Sequence, residues 1–99
     1  MEIAVDRNAG RIAVSGEFTF IDQGPFKDVI TELFQTKGAA VTIDLSKLEF
    51  IDSAGLGMLL LARDEAKKSE RELILMHPAG QVKRMFSVTK FNKLFTVEA

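Results

Sequence analysis

The sequence predicts a single α/β domain, residues 1–99, with a mixed sheet of about five strands, an N-terminal hairpin and about three helices. Apolar residues recur with strand-like and helix-like spacing in the order strand, strand, helix, strand, helix, strand, helix, strand. The segments between these elements are short, which suits right-handed crossovers between neighbouring strands. We therefore expect the strands after the hairpin to run largely parallel.

The first two strands should form the hairpin. Residues Glu2 to Asp6 alternate between polar and apolar side chains, and residues 11–16 offer a second strand. The Asn-Ala-Gly sequence at 8–10 is a turn signal between them. An apolar loop then leads to the first helix.

The first predicted helix follows this loop. Pro25 suits its first turn, and Gly38 should end it. Between them, five apolar side chains share one stripe at helical spacing: Phe26, Val29, Ile30, Leu33 and Phe34.

Three further strands and two helices complete the prediction. Residues 39–45 form a near-continuous apolar run, which predicts a central strand buried on both faces. Residues 72–77 predict another interior strand, and residues 94–97 predict the last one. The helix between the two interior strands places four residues at helical spacing: Leu56, Leu59, Leu60 and Arg63. The helix at 80–88 should turn Val82, Met85 and Phe86 inward.

Composition excludes several classes of function. The chain has no cysteine and one histidine, which removes thiol nucleophiles and the usual metal centres, so no cofactor or metal is expected. A net charge of −1 gives no reason to expect direct nucleic-acid binding. No apolar run approaches the roughly 20 residues of a membrane-spanning helix, and the first residues lack a secretory signal. We expect a cytoplasmic protein without membrane insertion.

Residues 52–57, Asp-Ser-Ala-Gly-Leu-Gly, join a strand to a helix, and Ser53 is their centre. Three roles are open to Ser53 from residue type and position. It can cap the N–H groups of the helix. As a nucleophile it would need a base, yet His77 is the single histidine and no Gly-x-Ser-x-Gly motif is present. As a phosphoacceptor it needs only an exposed hydroxyl at a helix start.

The charges around Ser53 predict what a phosphate would do there. No Arg or Lys lies between Lys47 and Arg63, and Asp52 is adjacent. A phosphate carries about −1.5 to −2 charges and would add to the existing negative charge. The expected result is repulsion of a bound partner. Asp52 itself is either a turn or cap residue, or a group that positions the hydroxyl for a kinase.

Small and apolar residues beside the serine indicate a protein-binding surface. Gly55 and Gly57 belong to no nucleotide-binding motif; they permit close packing of the helix start or the approach of a partner. Leu56, Met58 and Leu61 cannot all face the core, so some of them should surface.

The C-terminal third is locally basic. Its four cations fit a solvated helix face, and phosphate or RNA contact is the alternative: Lys83, Arg84, Lys90 and Lys93. His77 fits a packed or solvent-bridged residue better than a metal ligand.

Residues 41–46 (Val-Thr-Ile-Asp-Leu-Ser) and 50–57 (Phe-Ile-Asp-Ser-Ala-Gly-Leu-Gly) closely resemble the signature of STAS domains, in particular bacterial anti-sigma factor antagonists. Residues 15–18 and 77–86 resemble further parts of that family. There, the serine equivalent to Ser53 is phosphorylated by an anti-sigma factor that is a Ser/Thr kinase of the histidine-kinase-like ATPase fold. A PPM-type phosphatase reverses the mark. The resemblance implies a partner-switching protein that is not an enzyme, since Mg-ATP belongs to the kinase.

The resemblance also assigns the site residues. Phosphorylation falls on Ser53, and the implied partner-binding surface comprises Asp22, Asp52, Ser53, Ala54, Gly55, Leu56, Gly57, Met58 and Leu61. Thr19 stands where many antagonists carry an acidic residue, and Asp22 is the nearby candidate to replace it. The sequence stops at Ala99 without the family's usual final helix. We therefore expect the last strand, and the surface that covers it, to differ from those of the family.

A second function is compatible with the same resemblance. Some STAS domains are constitutive subunits that brace the ATPase of a lipid-transport ABC complex and need no phosphate. An enzyme is a distant third reading, since no substrate is suggested.

Overall fold

A computed structural model of the chain describes residues 1–35, 38 and 40–98. Five strands form one sheet whose order in space equals the order along the chain. They are β1 (Glu2–Asp6), β2 (Arg11–Phe18), β3 (Ala40–Ile51), β4 (Glu72–Met76) and β5 (Thr96–Glu98). β1 and β2 are antiparallel, and each later neighbouring pair is parallel. The predicted α/β class, mixed sheet and N-terminal hairpin are confirmed.

Helices connect the strands. They are α1 (Gln23–Leu33), α2 (Ser53–Lys68), α3 (Gly80–Val88) and α4 (Phe91–Leu94), and a 3-10 turn at Phe20–Asp22 precedes α1. None of the helices in the described ranges is long and apolar enough to cross a bilayer.

The short helix α4 was not predicted from the sequence. The ring of Phe91 lies 5.4 Å from that of Phe86 and 5.1 Å from that of Phe95, centroid to centroid. This aromatic stack holds the single turn of α4 against α3. Leu94 is therefore helical, and the last strand begins at Thr96 instead of residue 94.

The apolar core lies on one face of the sheet. In β3, Val41, Ile43 and Leu45 are fully buried, whereas the alternating Thr42 and Asp44 are half-buried. The prediction that this strand is buried on both faces is therefore wrong. Each new strand is added at the same edge of the sheet, beside the strand that precedes it in the chain. Right-handed crossovers between these strands therefore place every connecting helix on the same face of the sheet.

The first helix is shorter than predicted. α1 contains Pro25 in its first turn, as predicted, but it ends at Leu33 and not near Gly38. Residues 36 and 37 lie outside the described part of the chain. Nη1 of Arg71 donates a hydrogen bond of 2.9 Å to the carbonyl of Leu33, which satisfies an acceptor that a helix end leaves open.

The buried face of α2 does not include all of the residues that share helical spacing in the sequence. Leu56 and Leu59 are buried as predicted, but Leu60 is exposed. Met58 and Ala62 take inward positions instead. α2 packs against both the sheet and α1, so its buried stripe is wider than the spacing of the leucines alone indicates.

Candidate functional site

The turn between β3 and α2 is built on Asp52. Its backbone is extended, with φ −100° and ψ −177°, and its Oδ1 accepts a hydrogen bond of 2.8 Å from the Gly55 amide. The amide of Leu56 donates to the Asp52 carbonyl at 3.0 Å. Asp52 is therefore the N-cap of α2. The capping role considered for Ser53 is wrong, because Ser53 is already the first residue of the helix.

The side chain of Ser53 points to no partner within the described chain. The residue is exposed, and no hydrogen bond joins its hydroxyl to another described residue. His77 is exposed just after β4, and the nucleophile–base contact that covalent catalysis needs is not formed in the described structure. The arrangement leaves the Ser53 hydroxyl accessible to another protein.

Hydrogen bonds from distant parts of the chain hold the turn in place. Oδ2 of Asp52 accepts from the Phe20 amide at 3.3 Å, and the Asp52 amide donates to the Phe18 carbonyl at 3.1 Å. From α3, the amide side chain of Gln81 pairs with the backbone of Ile51. The Ile51 amide donates to Oε1 at 3.0 Å, and Nε2 donates to the Ile51 carbonyl at 2.9 Å. The end of β3 and the start of α2 are thus fixed from both sides.

The two glycines of the turn have different roles. A Cβ atom on Gly55 would lie 2.6 Å from the Phe18 carbonyl oxygen and 2.7 Å from Cγ1 of Ile51. Around a Cβ atom on Gly57 no atom of the described chain lies within 4 Å. Gly55 therefore serves close packing of the helix start, whereas Gly57 leaves open space at the surface.

The structure divides the predicted partner surface into accessible and buried residues. Those with exposed or half-exposed side chains are Asp52, Ser53, Ala54, Gly57 and Leu61. Those buried against the core are Gly55, Leu56 and Met58. The assignment of these three to direct partner contact is corrected, because they pack beneath the helix and support its exposed stripe.

Asp22 is likewise buried, at 9% exposure. Its Oδ2 accepts hydrogen bonds from the amide and hydroxyl of Thr19 at 2.8 and 3.4 Å, and its Oδ1 lies 3.3 Å from the α-amino nitrogen of Met1. These contacts hold the loop before α1. Asp22 therefore does not replace an acidic surface residue, and its assignment to direct partner contact is corrected as well.

Two residues of that loop extend the surface and were missed from the sequence. Phe20 is 67% exposed and Ile21 is 73% exposed, although both are apolar. The hydrogen bond from the Phe20 amide to Asp52 places this loop beside the turn. A sequence signal existed, because residues 17–21 contain three apolar side chains with neither strand-like nor helix-like spacing.

These residues form what we call the Ser53 surface: Phe20, Ile21, Ser53, Gly57 and Leu61. Ser53, Gly57 and Leu61 are spaced four residues apart and so lie on one stripe of α2. Leu61 is 49% exposed and borders a groove of about 170 Å³ between α1 and α2. The arrangement is an exposed, largely apolar face with one accessible hydroxyl.

Comparisons with known proteins agree on the family. The family model described as "Mlab, STAS domain" matches residues 1–97. A STAS-domain-containing protein of Pseudomonas aeruginosa is 30% identical over 86 residues, which cover 87% of this chain and 84% of the relative. An anti-sigma-B factor antagonist of Listeria monocytogenes is 27% identical over 88 residues, which cover 88% of this chain and 76% of the relative.

Solved structures share the fold. A candidate anti-sigma factor antagonist from Thermotoga maritima superposes with a TM-score of 0.78 at 20% identity, covering 99% of this chain and 85% of the other. The unphosphorylated form of the anti-sigma factor antagonist SpoIIAA gives a TM-score of 0.70 at 19% identity, with 99% and 86% covered. The chain, with its signature at residues 50–57 on the turn into α2, belongs to the STAS-domain family.

Proposed function

We propose that this protein is an anti-sigma factor antagonist that acts by partner switching in the cytoplasm. In this proposal it binds a cognate anti-sigma factor, a Ser/Thr kinase of the histidine-kinase-like ATPase fold, while Ser53 is unphosphorylated. Phosphorylation of Ser53 releases the complex, and a PPM-type phosphatase restores the binding form. The chain itself is a binding protein, and Mg-ATP is the kinase's own substrate.

The main observation behind the proposal is that Asp52 caps α2 and leaves the hydroxyl of Ser53 free. Because Asp52 caps α2, the Ser53 hydroxyl is not needed for the fold and stands exposed at the helix start. The names of the relatives support the same function: anti-sigma-B factor antagonists of Listeria and Staphylococcus aureus cover most of this chain at 27% and 22% identity.

Electrostatics support release on phosphorylation. A phosphate on Ser53 would be stabilised by the N-terminal end of the helix dipole, so the domain should stay folded. The Asp52 carboxylate is adjacent, and the segment from residue 48 to residue 62 carries no Lys or Arg. The added charge of about −2 would therefore face the partner and not an internal cation.

The apolar residues of the Ser53 surface supply the attraction in the unphosphorylated state. Phe20, Ile21 and Leu61 expose apolar area that a partner can bury, and large apolar anchors contribute much of the binding energy in protein interfaces. Desolvation of this face makes a charge at its centre costly. The same surface therefore binds strongly when neutral and weakly when phosphorylated.

Phosphorylation is tested directly with the kinase. The cognate kinase can be captured by pulldown with the Ser53→Ala protein as bait, then incubated with the wild type and ATP. We expect the wild type to take up one phosphate and Ser53→Ala to take up none, whereas Ser87→Ala, which removes an exposed helical serine elsewhere, should behave as wild type. Equal uptake by Ser53→Ala would refute the assignment.

Release is tested by calorimetry on the same pair. Ser53→Asp should weaken kinase binding at least tenfold, because it places a charge at the centre of an apolar interface. Ser87→Asp carries the same added charge at a different place and should leave the affinity unchanged. An affinity of Ser53→Asp equal to the wild type would contradict release by repulsion.

The second candidate is a constitutive STAS subunit that braces an ABC-transporter ATPase in lipid transport. It is favoured by the family model, whose description names Mlab and no sigma factor. The same Ser53 surface would then be a permanent contact. If this candidate is correct, the protein should copurify with a transporter ATPase, and phosphate on Ser53 should be absent from the complex by mass spectrometry.

A further inference from the structure

A second surface lies on α3, α4 and the turn between them. Residues 73–97 contain four Lys or Arg residues and no Asp or Glu. All four cations are exposed: Lys83, Arg84, Lys90 and Lys93. None of them has an ion-pair partner among the described residues, so their charge is available to an outside ligand. We call these residues, with Val88 and Leu94, the basic face.

The cations stand next to exposed aliphatic side chains. Val88 is 75% exposed at the end of α3, and Leu94 is 43% exposed at the end of α4. On α3, Arg84 and Val88 lie opposite the buried Val82 and Phe86, and Lys83 lies at the border of the buried face. Exposed aliphatic side chains among long basic ones suit a membrane surface. There, charged headgroups lie only a few ångströms from apolar acyl chains.

The aromatic residues of this region are not available to a ligand. Phe86, Phe91 and Phe95 are buried and stacked on one another. Single-stranded nucleic acids are bound largely by stacking of bases on exposed aromatic rings, and the basic face offers none within its described residues. Val88 and Leu94 would gain nothing from phosphate contacts but would gain from contact with acyl chains.

We propose that the basic face docks reversibly on an anionic phospholipid bilayer. The Lys and Arg side chains contact lipid headgroups, and Val88 and Leu94 reach the boundary with the acyl chains. Each cation near an anionic membrane raises partitioning about fivefold, so four together raise it several hundredfold. This is surface binding without a spanning segment, and it does not depend on the proposed partner switch.

The test is co-sedimentation of the whole protein with vesicles of phosphatidylglycerol and phosphatidylcholine in equal parts. We expect binding to these vesicles, weak binding to pure phosphatidylcholine vesicles, and loss of binding as added salt shortens the Debye length. Lys83→Gln with Arg84→Gln should lower partitioning roughly twentyfold. Val88→Ser should lower it several-fold, although the net charge is unchanged.

The matched control is Lys67→Gln with Lys68→Gln, which removes two adjacent exposed lysines from α2 and gives the same net charge. It should bind vesicles nearly as the wild type does. Equal losses from both pairs would overturn the proposal, since binding would then follow net charge alone. Absence of vesicle binding by the wild type would also overturn it, as would binding to an RNA oligomer or an acidic peptide without binding to vesicles.

Discussion

Single residues at the turn into α2 divide into those that hold the fold and those that face outward. Asp52 and Gly55 belong to the first group, because one caps the helix and the other lets it approach β2. Ser53 and Gly57 belong to the second. Residues next to each other in sequence therefore respond differently to substitution.

Gly55→Ala and Gly57→Ala form a matched pair that tests this division. At Gly55 the new methyl group would meet the Phe18 carbonyl at 2.6 Å, so we expect a loss of about 1–3 kcal/mol in the free energy of unfolding. At Gly57 there is open space, and we expect a gain of about 0.5–1 kcal/mol. Urea unfolding measures both. Equal changes in the free energy of unfolding of the two variants would show that the close contact at Gly55 does not destabilise Gly55→Ala.

Gly57→Ala has a second expected effect. Its methyl group projects into the Ser53 surface, so the more stable protein should bind the proposed partner kinase several-fold more weakly, as measured by calorimetry. Stronger binding by this variant would place Gly57 outside the interface.

Asp44 provides a pH dependence at the residue scale. The Ser46 amide donates to its carboxylate at 2.9 Å and is the main cause that lowers the pKa of Asp44, while Arg11 at 3.1 Å lowers it further. Because the pKa of Asp44 is lowered in the folded state, its ionised carboxylate stabilises the fold at pH values above the ordinary pKa of 3.8. This stability is lost as the pH falls through the folded-state pKa. Asp44→Asn should therefore be less stable than wild type at neutral pH, with the difference shrinking as the pH falls from 3.8 through the lowered pKa of Asp44. A difference in urea midpoints that stays constant with pH would contradict this.

At the scale of elements, α3 supports the turn that carries Ser53 through Gln81. Its two hydrogen bonds to Ile51 satisfy backbone groups of a fully buried residue. Gln81→Ala should lower the free energy of unfolding by about 1–3 kcal/mol, because it leaves a buried donor and acceptor unsatisfied. Gln81→Glu keeps the acceptor for the Ile51 amide but places a carboxylate oxygen against the Ile51 carbonyl oxygen, so it should also lower the free energy of unfolding at neutral pH. Urea unfolding in which either variant is as stable as the wild type would contradict the pairing.

The loop before α1 contributes Phe20 and Ile21 to the proposed binding surface. Phe20→Ser removes an apolar anchor that is 67% exposed, so stability should change by no more than about 0.5 kcal/mol. Binding to the proposed partner kinase should weaken about tenfold or more, as large interface side chains often contribute more than about 1 kcal/mol. A fall in stability without a fall in affinity would assign Phe20 to the fold alone.

At the scale of the whole molecule, the candidate site lies at the end of the central strand of the sheet. β3 is the third of five strands; its residues 42–51 lie opposite β2, and its residues 40–44 lie opposite β4. β1 and β5 are edges. Amide exchange followed by NMR should therefore be slowest at Thr42 and Ile43, which are paired on both sides, and much faster at Val5 and Val97. Protection of the edge strands equal to that of β3 would mean that the molecule opens only by global unfolding.

Positive and negative charge are concentrated in different segments of the chain. The basic region 73–97 carries +4 within a chain of net charge −1, so the rest of the chain carries −5. The negative region includes the turn of Ser53, where phosphate would add to it. Attraction to anionic lipid and repulsion by phosphate are therefore expected on different parts of the surface.

The sequence by itself determined the order and type of the strands and the first three helices, and the place of Ser53 at a helix start. This was possible because backbone hydrogen bonding and side-chain direction follow periods of two and about 3.6 residues, which are visible within one segment. The STAS signature at residues 50–57 could be read for the same reason, since its residues are contiguous.

Only the tertiary structure decided which side chains at the site are accessible. Both Asp52 and Ser53 were candidates for the helix cap from the sequence, and the structure shows that Asp52 is the N-cap and Ser53 the first helical residue. The burial of Asp22 and the exposure of Phe20 and Ile21 follow from where the loop before α1 meets the turn. The contacts that fix this region join residues 32 apart, from Phe20 to Asp52, and 30 apart, from Ile51 to Gln81. No local pattern contains such distances, because they arise when separate segments pack on a common core.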